Sequence, residues 1–489
     1  MTKSLGPVTL KHCLIAVSVL ALAAALPAQA QLTFTPGDLV VSVEGDGSST
    51  GSYGDNQAAP LTLDQFSVTG TSSAAAAGSL ELPQTTVGNQ YAISGEYGSS
   101  SEGTLQLSGN GRYLTIMGYG INAATYNSDP SIYSTACTPT PACQSALGQS
   151  TSLSSASHYI PRVVALISAN GTVDTSTALT NIFNGNNPRS AYTVNGTSFY
   201  VSGQGVSGDN TGGVFYATLG AATATSITGN DGGGTSSQDT RTVTVFNNTL
   251  YVSSDSKAGS TNRDYIGTLG TAGTLPTTVA NSGNGPTMLP GFGNSGGTGK
   301  ETITAANGNG INASGQQINL SPENYFFANA TTLYVTDSGA PKNNSATSTL
   351  GDGGLQKWSL VSGSWVLDYT LSAGLNLVKN SNTDGTSGLY GLAGEVVGGN
   401  VELYATNYTL ADLDPTYLYG ITDSLSATTE SGETFTKLET APADSNFKGV
   451  AFAPVPLPAA GWLLLSALGG LGMFARRRPA SKTLAAATA

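Results

Sequence analysis

Leu-Tyr-Val-Ser (250–253) and Leu-Tyr-Val-Thr (333–336) are two copies of a short phrase that returns along the whole chain. The others are Leu-Val-Val-Ser-Val (39–43), Tyr-Leu-Thr-Ile-Met (113–117), Phe-Tyr-Val-Ser (199–202) and Leu-Tyr-Ala-Thr (403–406). Aromatic and β-branched residues alternate with small or polar ones, a pattern typical of a half-buried strand. Six copies, spaced by roughly 50–85 residues, predict a repeated sheet module. We therefore predict an all-β chain folded as a β-propeller.

The phrase fits the second strand of a four-stranded blade, and strand patterns flank each copy. First strands are predicted over Thr104–Ser108, Ser190–Val194, Arg241–Phe246, Asn324–Ala328 and Gly388–Ala393. Third strands are predicted over Leu61–Val68, Val163–Ser168, Gly213–Leu219, Asp264–Leu269, Gly354–Leu360 and Tyr417–Thr422. Fourth strands are predicted over Leu80–Leu82, Thr172–Leu179, Thr225–Thr228, Leu275–Val279, Trp365–Leu371 and Phe435–Leu438.

Blade one lacks a first strand of its own. Lys448–Ala453, a spare strand at the far end of the chain, is predicted to pair with Leu39–Val43 and close a ring of six blades. A seventh blade within the Gly/Asn-rich insert 280–322 stays an open alternative. The other long segments join second to third strands or blade to blade, so they share one face, which we expect to be the working face.

The N-terminus has the pattern of a secretory signal over 1–30. Lys3 and Lys11 form its basic region, Cys13–Leu26 its apolar core, and Ala28 and Ala30 its small-residue cleavage site. The predicted ectodomain, 31–454, keeps 12 of the 18 basic residues and all 30 acidic ones, a net charge of −18. That charge argues against nucleic acid as a partner and suits an extracellular protein or one that meets cations.

The C-terminus combines three features over 455–478: a proline motif, a short apolar helix at 459–475 that could span a thin membrane, and an arginine cluster. The motif residues are Val455, Pro456, Leu457, Pro458, Arg476, Arg477 and Arg478. This trio resembles the PEP-CTERM sorting signal of Gram-negative bacteria, with Leu457 in place of the family's central glutamate. The resemblance implies that an exosortase cuts near the motif. The chain would be held in the inner membrane, with 479–489 as a cytoplasmic tail, and would then reach the cell surface or the exterior.

Cys137 and Cys143 are the two cysteines outside the signal segment. Their spacing, Cys-Thr-Pro-Thr-Pro-Ala-Cys, favours a small disulfide loop in an oxidising compartment over a metal site.

Catalytic signals are weak. Gly293-Asn294-Ser295-Gly296-Gly297 matches the nucleophile-elbow pattern but lies in a glycine-rich loop. His158 is the one histidine outside the signal segment, which leaves little room for a histidine-based triad.

Two sets of charged residues are the candidate ligand contacts. Asp209, Asp255 and Asp337, like Asp46 and Asp55, lie in or beside second-to-third loops, where they could hold Ca²⁺ or form turns. No cofactor is otherwise predicted. Arg189, Arg241 and Glu323 lie at the starts of first strands, which would place them around the mouth of a central channel, as ligand groups or as a solvated rim.

We therefore expect an exported cell-surface or matrix protein, a non-enzymatic binding or structural module associated with exopolysaccharide or biofilm. Two alternatives stay open: an extracellular carbohydrate-active enzyme that uses carboxylates at the propeller mouth, and a calcium-stabilised adhesin. Carboxylates in a deep pocket would favour the enzyme, whereas a shallow aromatic-lined face would favour binding.

Overall fold

All six copies of the phrase lie on antiparallel strands in a computed structural model of the chain. The structure describes residues 32–48, 53–133, 146–206, 208–229, 239–258, 261–280, 285–292, 320–340 and 353–456. The signal segment with Ala28 and Ala30, both cysteines, the Gly293–Gly297 pattern, and Leu457, Pro458 and the arginine cluster lie outside the described residues.

The strands of the first half are β1 (Leu39–Gly45), β2 (Ala58–Thr69), β3 (Ser73–Glu81), β4 (Ser94–Glu96), β5 (Gln106–Leu107), β6 (Tyr113–Tyr119), β7 (Arg162–Ser168), β8 (Val173–Leu179), β9 (Pro188–Tyr192), β10 (Ser198–Gly203), β11 (Gly213–Thr218) and β12 (Thr225–Ser226). The remaining strands are β13 (Thr240–Phe246), β14 (Thr249–Ala258), β15 (Thr261–Leu269), β16 (Thr287–Met288), β17 (Pro322–Asn329), β18 (Thr332–Asp337), β19 (Gly354–Val361), β20 (Ser364–Leu371), β21 (Thr386–Val397), β22 (Asn400–Thr409), β23 (Tyr417–Ser424), β24 (Thr436–Thr440) and β25 (Ser445–Phe452). The described helices are α1 (Ala123–Ser128) and three 3₁₀ turns, Gly70–Ser72, Pro130–Ile132 and Leu147–Gln149.

Four of the sheets have four consecutive strands each: β9–β12, β13–β16, β17–β20 and β21–β24. A fifth sheet has nine strands, in the order β25-β1-β2-β4-β6-β7-β8, with β3 on β2 and β5 on β6. It consists of two four-stranded modules, β25 with β1–β3 and β5–β8, which the short β4 joins. We number these modules and the four sheets one to six along the chain. The chain is all-β, as predicted.

The predicted pairing of the chain's two ends is present. β1 pairs antiparallel with β25, with Leu39 opposite Phe452 and Gly45 opposite Ser445. The first strand of module one therefore comes from the far end of the sequence.

A hydroxyl from every copy of the phrase links its module to the next. Ser42, Thr115, Ser202, Ser253 and Thr336 donate, at 2.5–2.8 Å, to the carbonyls of Gly103, Ala191, Arg241, Glu323 and Tyr390, respectively. Thr406 of module six donates to the carbonyl of Lys448 in β25, which belongs to module one. Each acceptor lies in or just before a first strand. We call these six side chains the latch hydroxyls, and they connect the modules in cyclic order.

In four modules the same hydroxyl also accepts a hydrogen bond within its own module. The pairing of first and second strands is irregular in module three and also in modules one, four, five and six, which are the four concerned here. In these modules a first-strand N–H donates to the latch hydroxyl at 2.8–2.9 Å; the donors are Gly449, Thr242, Asn324 and Gly391. A bulge leaves a backbone group without its ladder partner, and here a side chain replaces that partner.

The prediction that these strands are half-buried is wrong. Every residue of β1 and β18 is buried, and so are the phrase residues of β10 and β22. Neighbouring modules cover both faces of each second strand, so its small polar residues face another module rather than water. Glycine allows this close approach: a Cβ at Gly449 would lie 2.1 Å from the backbone nitrogen of Leu105.

Two further details differ from the prediction. Leu275–Val279 is not a strand; the fourth strand of module four is β16. Pro276 cannot donate to a ladder, and its carbonyl instead accepts from the Tyr200 hydroxyl at 2.9 Å. β4 was not predicted, since its Ser-Gly-Glu sequence carries no strand signal.

Both ends of the described chain lie at the same end of the modules. Leu39 and Phe452 are paired, Phe34 N donates to Ala169 O at 2.9 Å, and Val455 N donates to Gly111 O at 2.7 Å. We call this the hairpin end, because first-to-second and third-to-fourth turns occur there. Second-to-third and module-to-module connections lie at the opposite end, the loop end.

Candidate functional site

Arg189, Arg241 and Glu323 lie on three successive first strands, β9, β13 and β17, as the sequence predicted. Arg241 Nη2 is 3.3 Å from Asp255 Oδ2, and its Nη1 is 3.5 Å from Glu323 Oε1. Arg189 Nη1 contacts Asp239 Oδ1, which is also 3.9 Å from Arg241 Nε. We call these five side chains the arginine network.

Asp337 is connected to this network through Ser321. The Ser321 hydroxyl donates to Asp255 Oδ2 at 2.9 Å, while its backbone N–H donates to Asp337 Oδ2 at 2.9 Å. Gln356 Nε2 donates to the same Asp337 oxygen at 3.0 Å. Five of the six candidate ligand residues are thus brought together at the loop end.

The arginine network is buried: its side chains are at most 5% exposed. Burial lowers the pKa of Arg189 to about 9, and the charge of Arg241 contributes to this shift. Burial also acts to lower the pKa of Arg241, but Glu323 and Asp255 outweigh it and the net shift is upward. Two cations and three carboxylates therefore offset one another inside the protein, as buried charges require.

Asp209, the sixth candidate, lies apart from this network in a turn. Its carboxylate accepts from Thr211 N at 3.0 Å and from Asn184 Nδ2 at 3.0 Å. The sequence Gly-Asp-Asn occurs at 208–210 and at 54–56; its asparagines, Asn210 and Asn56, have positive φ angles of 60° and 66°. These are turn roles. Whether Asp209, or any residue of the arginine network, contacts a ligand stays a prediction.

A second buried set, which the sequence reading missed, consists of Glu44, Glu96 and Glu102; we call it the glutamate cluster. Glu102 accepts from the Tyr119 hydroxyl and from Asn187 Nδ2. Glu96 accepts from the backbone N–H of Gly148. Glu44 lies 3.6 Å from Lys448 Nζ, an ion pair that joins β1 to β25.

Burial raises the pKa of all three glutamates. For Glu44 the pKa rises to about 8, although Lys448 opposes the shift, and nearby Glu102 adds to it. The pKa of Glu96 is raised well above its ordinary value by burial and then by Glu102. Glu44, with a pKa of about 8, is a carboxyl group that can keep a proton near neutral pH and act as a hydrogen-bond donor or general acid.

The positions of the latch hydroxyls in the sequence could have identified some of these buried polar residues. Glu44, Gln204, Asp255 and Tyr408 each follow a latch hydroxyl by two residues. Side chains two apart on a strand lie on the same face. Gln204 indeed accepts from Arg189 Nη2 at 3.0 Å.

Arg162 forms hydrogen bonds that hold together the loop segments around the glutamate cluster. Its guanidinium donates to the carbonyls of Ser150 and Phe183 at 2.8 Å, and it lies 4.7 Å from the centre of the Tyr119 ring. Burial lowers its pKa. This arginine orders three loop segments rather than offering a free charge.

A cavity of about 270 Å³ lies between the first strands, on the hairpin side of the arginine network. Its lining includes residues of β5, β9, β13, β17, β21 and β25, one strand from each module; aromatic members are Tyr192, Phe246, Tyr325, Phe326, Phe327 and Phe452.

Three observations bear on the remaining expectations. His158 is exposed and packs edge-on against Tyr133, with ring centres 6.2 Å apart. Among the described residues, no group of three or more His, Cys, Asp or Glu side chains has the arrangement of a metal site. Within the same residues, no helix is long and apolar enough to cross a membrane.

No family model matches the sequence, and no curated protein matches it. Solved structures that are similar to parts of the chain include the following three. A hypothetical selenium-binding protein from Sulfolobus tokodaii is 10% identical, with 86% of this chain and 94% of that chain covered and a TM-score of 0.40. A sialidase from Trypanosoma rangeli is 11% identical over 78% of this chain and 52% of that chain, with a TM-score of 0.38. An ulvan lyase, described as a new family of polysaccharide lyase, is 11% identical over 87% of this chain and 86% of that chain, with a TM-score of 0.32.

Proposed function

We propose that the six modules form a closed six-bladed β-propeller. The support is the cyclic order of the contacts between modules. Six latch hydroxyls connect each module to the next, and the last connection returns to module one through β25. The cavity lined by one strand of each module agrees with a central channel. Closure of this kind leaves few free sheet edges.

We further propose that the chain is exported and sorted to the cell surface. The proposal rests on the signal pattern over 1–30 and on the resemblance of 455–478 to a PEP-CTERM signal. An exosortase would be the sorting partner, and the inner membrane would hold the chain before cleavage.

At the surface, we propose, the protein is a non-enzymatic binding or structural module that contacts exopolysaccharide or another surface glycan. The observation that carries this proposal is the difference between the two ends of the modules, the hairpin end and the loop end. Both ends of the described part of the chain lie at the hairpin end, so attachment to the cell through the C-terminal side would leave the loop end turned outward. Rigid scaffolds commonly carry binding residues on such loops.

Glycan-array binding of the mature, surface-extracted protein tests this proposal. We expect retention of at least one polysaccharide or oligosaccharide class. Parallel arrays with calcium and with a chelator separate a calcium-stabilised adhesin, whose binding would be lost without calcium, from a calcium-independent binder. A protein that retains no glycan under either condition would contradict the proposal.

A second candidate function, a carbohydrate-active enzyme, is favoured by the glutamate cluster. Buried carboxyls with raised pKa values beside a tyrosine hydroxyl provide groups for proton transfer to or from a sugar oxygen. Glu102, bonded to Tyr119, is the group to test. New reducing ends or unsaturated products that appear with the parent and disappear with Glu102→Gln would favour this function over plain binding.

A further inference from the structure

A solvent-facing cleft of about 390 Å³ opens at the loop end, beside module six. Its walls are the connection 372–385, the start of β21, the second-to-third loop 410–416, the beginning of β23, and Lys437 of β24, which is paired with Tyr419. It is separate from the arginine network and from the glutamate cluster. From this cleft we infer a binding site for an uncharged saccharide, an inference that rests on the proposed glycan-binding function.

An aromatic surface lies next to polar groups in this cleft. Tyr417 is half-buried, and its ring centre is 5.9 Å from that of Tyr419. Lys437 Nζ lies 4.6 Å from the centre of the Tyr417 ring, and both Lys437 and Asp384 are exposed. A sugar ring has an apolar C–H face and a rim of hydroxyls, so it suits a tyrosine ring bordered by donors and acceptors.

The walls are fixed before any ligand binds. Asp414 Oδ2 accepts from Gly385 N at 2.7 Å and from Ala411 N at 3.2 Å, which ties the two loops together. Asn407, which is buried, accepts from Tyr417 N at 2.7 Å and donates to Thr386 Oγ1 at 2.9 Å. A site that is already ordered loses less conformational entropy when a ligand binds.

The net negative charge of the cleft favours neutral saccharides over anionic ones. The ionisable groups that line the cleft are Asp384, Asp414 and Lys437, which sum to −1, and the whole chain is at −12. An anionic sugar would meet repulsion from both, because like charges across an interface disfavour association. Neutral hexoses avoid this cost, and Asp384 and Lys437 offer an acceptor and a donor for their hydroxyls. The exposed Lys437 side chain is flexible enough to move off the tyrosine ring.

The test measures binding of the full surface-extracted protein to two probe sets. One set holds neutral oligosaccharides of four to six units, namely β-1,3-glucan, β-1,4-glucan, α-mannan and β-galactan. The other holds alginate oligosaccharides of the same lengths. We expect binding to at least one neutral probe and an affinity that changes less than twofold between 50 and 500 mM NaCl.

Four variants locate the site. Tyr417→Ala removes the ring and should weaken binding at least tenfold, whereas Tyr417→Phe keeps the ring and should stay within threefold of the parent. Asp384→Ala, a change at an exposed position that leaves folding intact, should weaken binding at least threefold. Tyr159→Ala, at an exposed tyrosine outside the cleft (41% exposed), is the matched control and should stay within twofold.

The outcomes separate the site from the proposed function. If the parent binds a neutral probe and neither Tyr417→Ala nor Asp384→Ala weakens it, the cleft is not the site, although glycan binding stands. If the parent binds only alginate, the assignment of an uncharged ligand is overturned. If the parent binds no glycan at all, both the site and the proposed function fail.

Discussion

The Thr406 hydroxyl donates to the main-chain carbonyl of Lys448, a residue of the strand that pairs with β1. This bond is one of those that connect module six to module one, whose second strand, β1, begins at Leu39 near the other end of the sequence. The serine or threonine of each phrase therefore forms a contact between modules.

A latch hydroxyl should contribute measurably to stability. Thr336 Oγ1 accepts from Asn324 N at 2.9 Å and donates to Tyr390 O at 2.8 Å. Thr336→Val keeps the shape but leaves these buried groups unpaired, so we expect a loss of about 1–3 kcal/mol in unfolding free energy. Urea denaturation measures it. Ser67→Ala, at an exposed position on β2, is the control and should change stability by less than about 0.5 kcal/mol. Equal effects of the two variants would contradict the role of the latch.

The arginine network should behave as part of the scaffold. Arg241→Met leaves Asp255 and Glu323 without their buried cation, and removing one partner of a buried ion pair costs about 3–5 kcal/mol. Thermal denaturation should show a large fall in Tm. The exposed Arg112 is the matched control, and Arg112→Met should leave Tm nearly unchanged. For the same reason, Asp255→Asn should destabilise the fold. Asp337→Asn should also destabilise it, because the buried carboxylate accepts hydrogen bonds from Ser321 N and Gln356 Nε2, whereas Asp209→Asn should have a small effect. An unchanged Tm in Arg241→Met would contradict this account.

Stability should fall as pH rises from about 5 to about 8. The folded protein keeps a proton on Glu44 up to a pKa of about 8, whereas the unfolded chain releases it near the ordinary value of 4.5. The folded state therefore binds more protons within this window, and the free energy of unfolding decreases with pH. Lys448 and Glu102 are the charged groups that act on Glu44. Urea denaturation at several pH values should give a clear downward slope for the parent and a shallower one for Glu44→Gln. A stability that rises with pH, or an identical slope in the variant, would contradict it.

Processing should remove both terminal segments. Intact-mass analysis of the surface form should give a chain that lacks residues 1–30 and the apolar segment 459–475. A surface form that retains this segment would make it a plain membrane anchor instead of a sorting signal.

Much of the fold could be predicted from the sequence because strand patterning is local. The phrase, its neighbouring strands and the pairing of β1 with β25 follow from alternation and from counting strands in a ring. Burial of both faces of the second strands could not be predicted, because the sequence pattern of a small polar residue does not show whether it faces water or an adjacent module. The strand predicted at Leu275–Val279 was wrong because Pro276 cannot donate to a ladder; Leu275 packs against the core, whereas Val279 is exposed.

The candidate site was predicted in part. Arg189, Arg241 and Glu323 were identified by their equivalent positions on first strands. The glutamate cluster was missed because Glu96 ends β4, whose sequence carries no strand signal, and Glu102 lies in the loop after it; only the three-dimensional structure brings them near Glu44. The cleft beside module six combines two loops and two strands, and the sequence gives no sign that these segments meet.

The proposed surface role requires that the loop end faces away from the cell. Leu413 lies at the loop end and Val397 beside the hairpin turn of module six, 56% and 44% exposed, respectively. Single Leu413→Cys and Val397→Cys variants can be labelled on intact cells with a membrane-impermeant maleimide, with the parent as the background control for its own cysteines. Labelling is expressed relative to that of the same protein after detergent extraction. We expect near-complete relative labelling of Leu413→Cys and markedly lower labelling of Val397→Cys. Equal labelling of the two, or the reverse order, would contradict the proposed surface role.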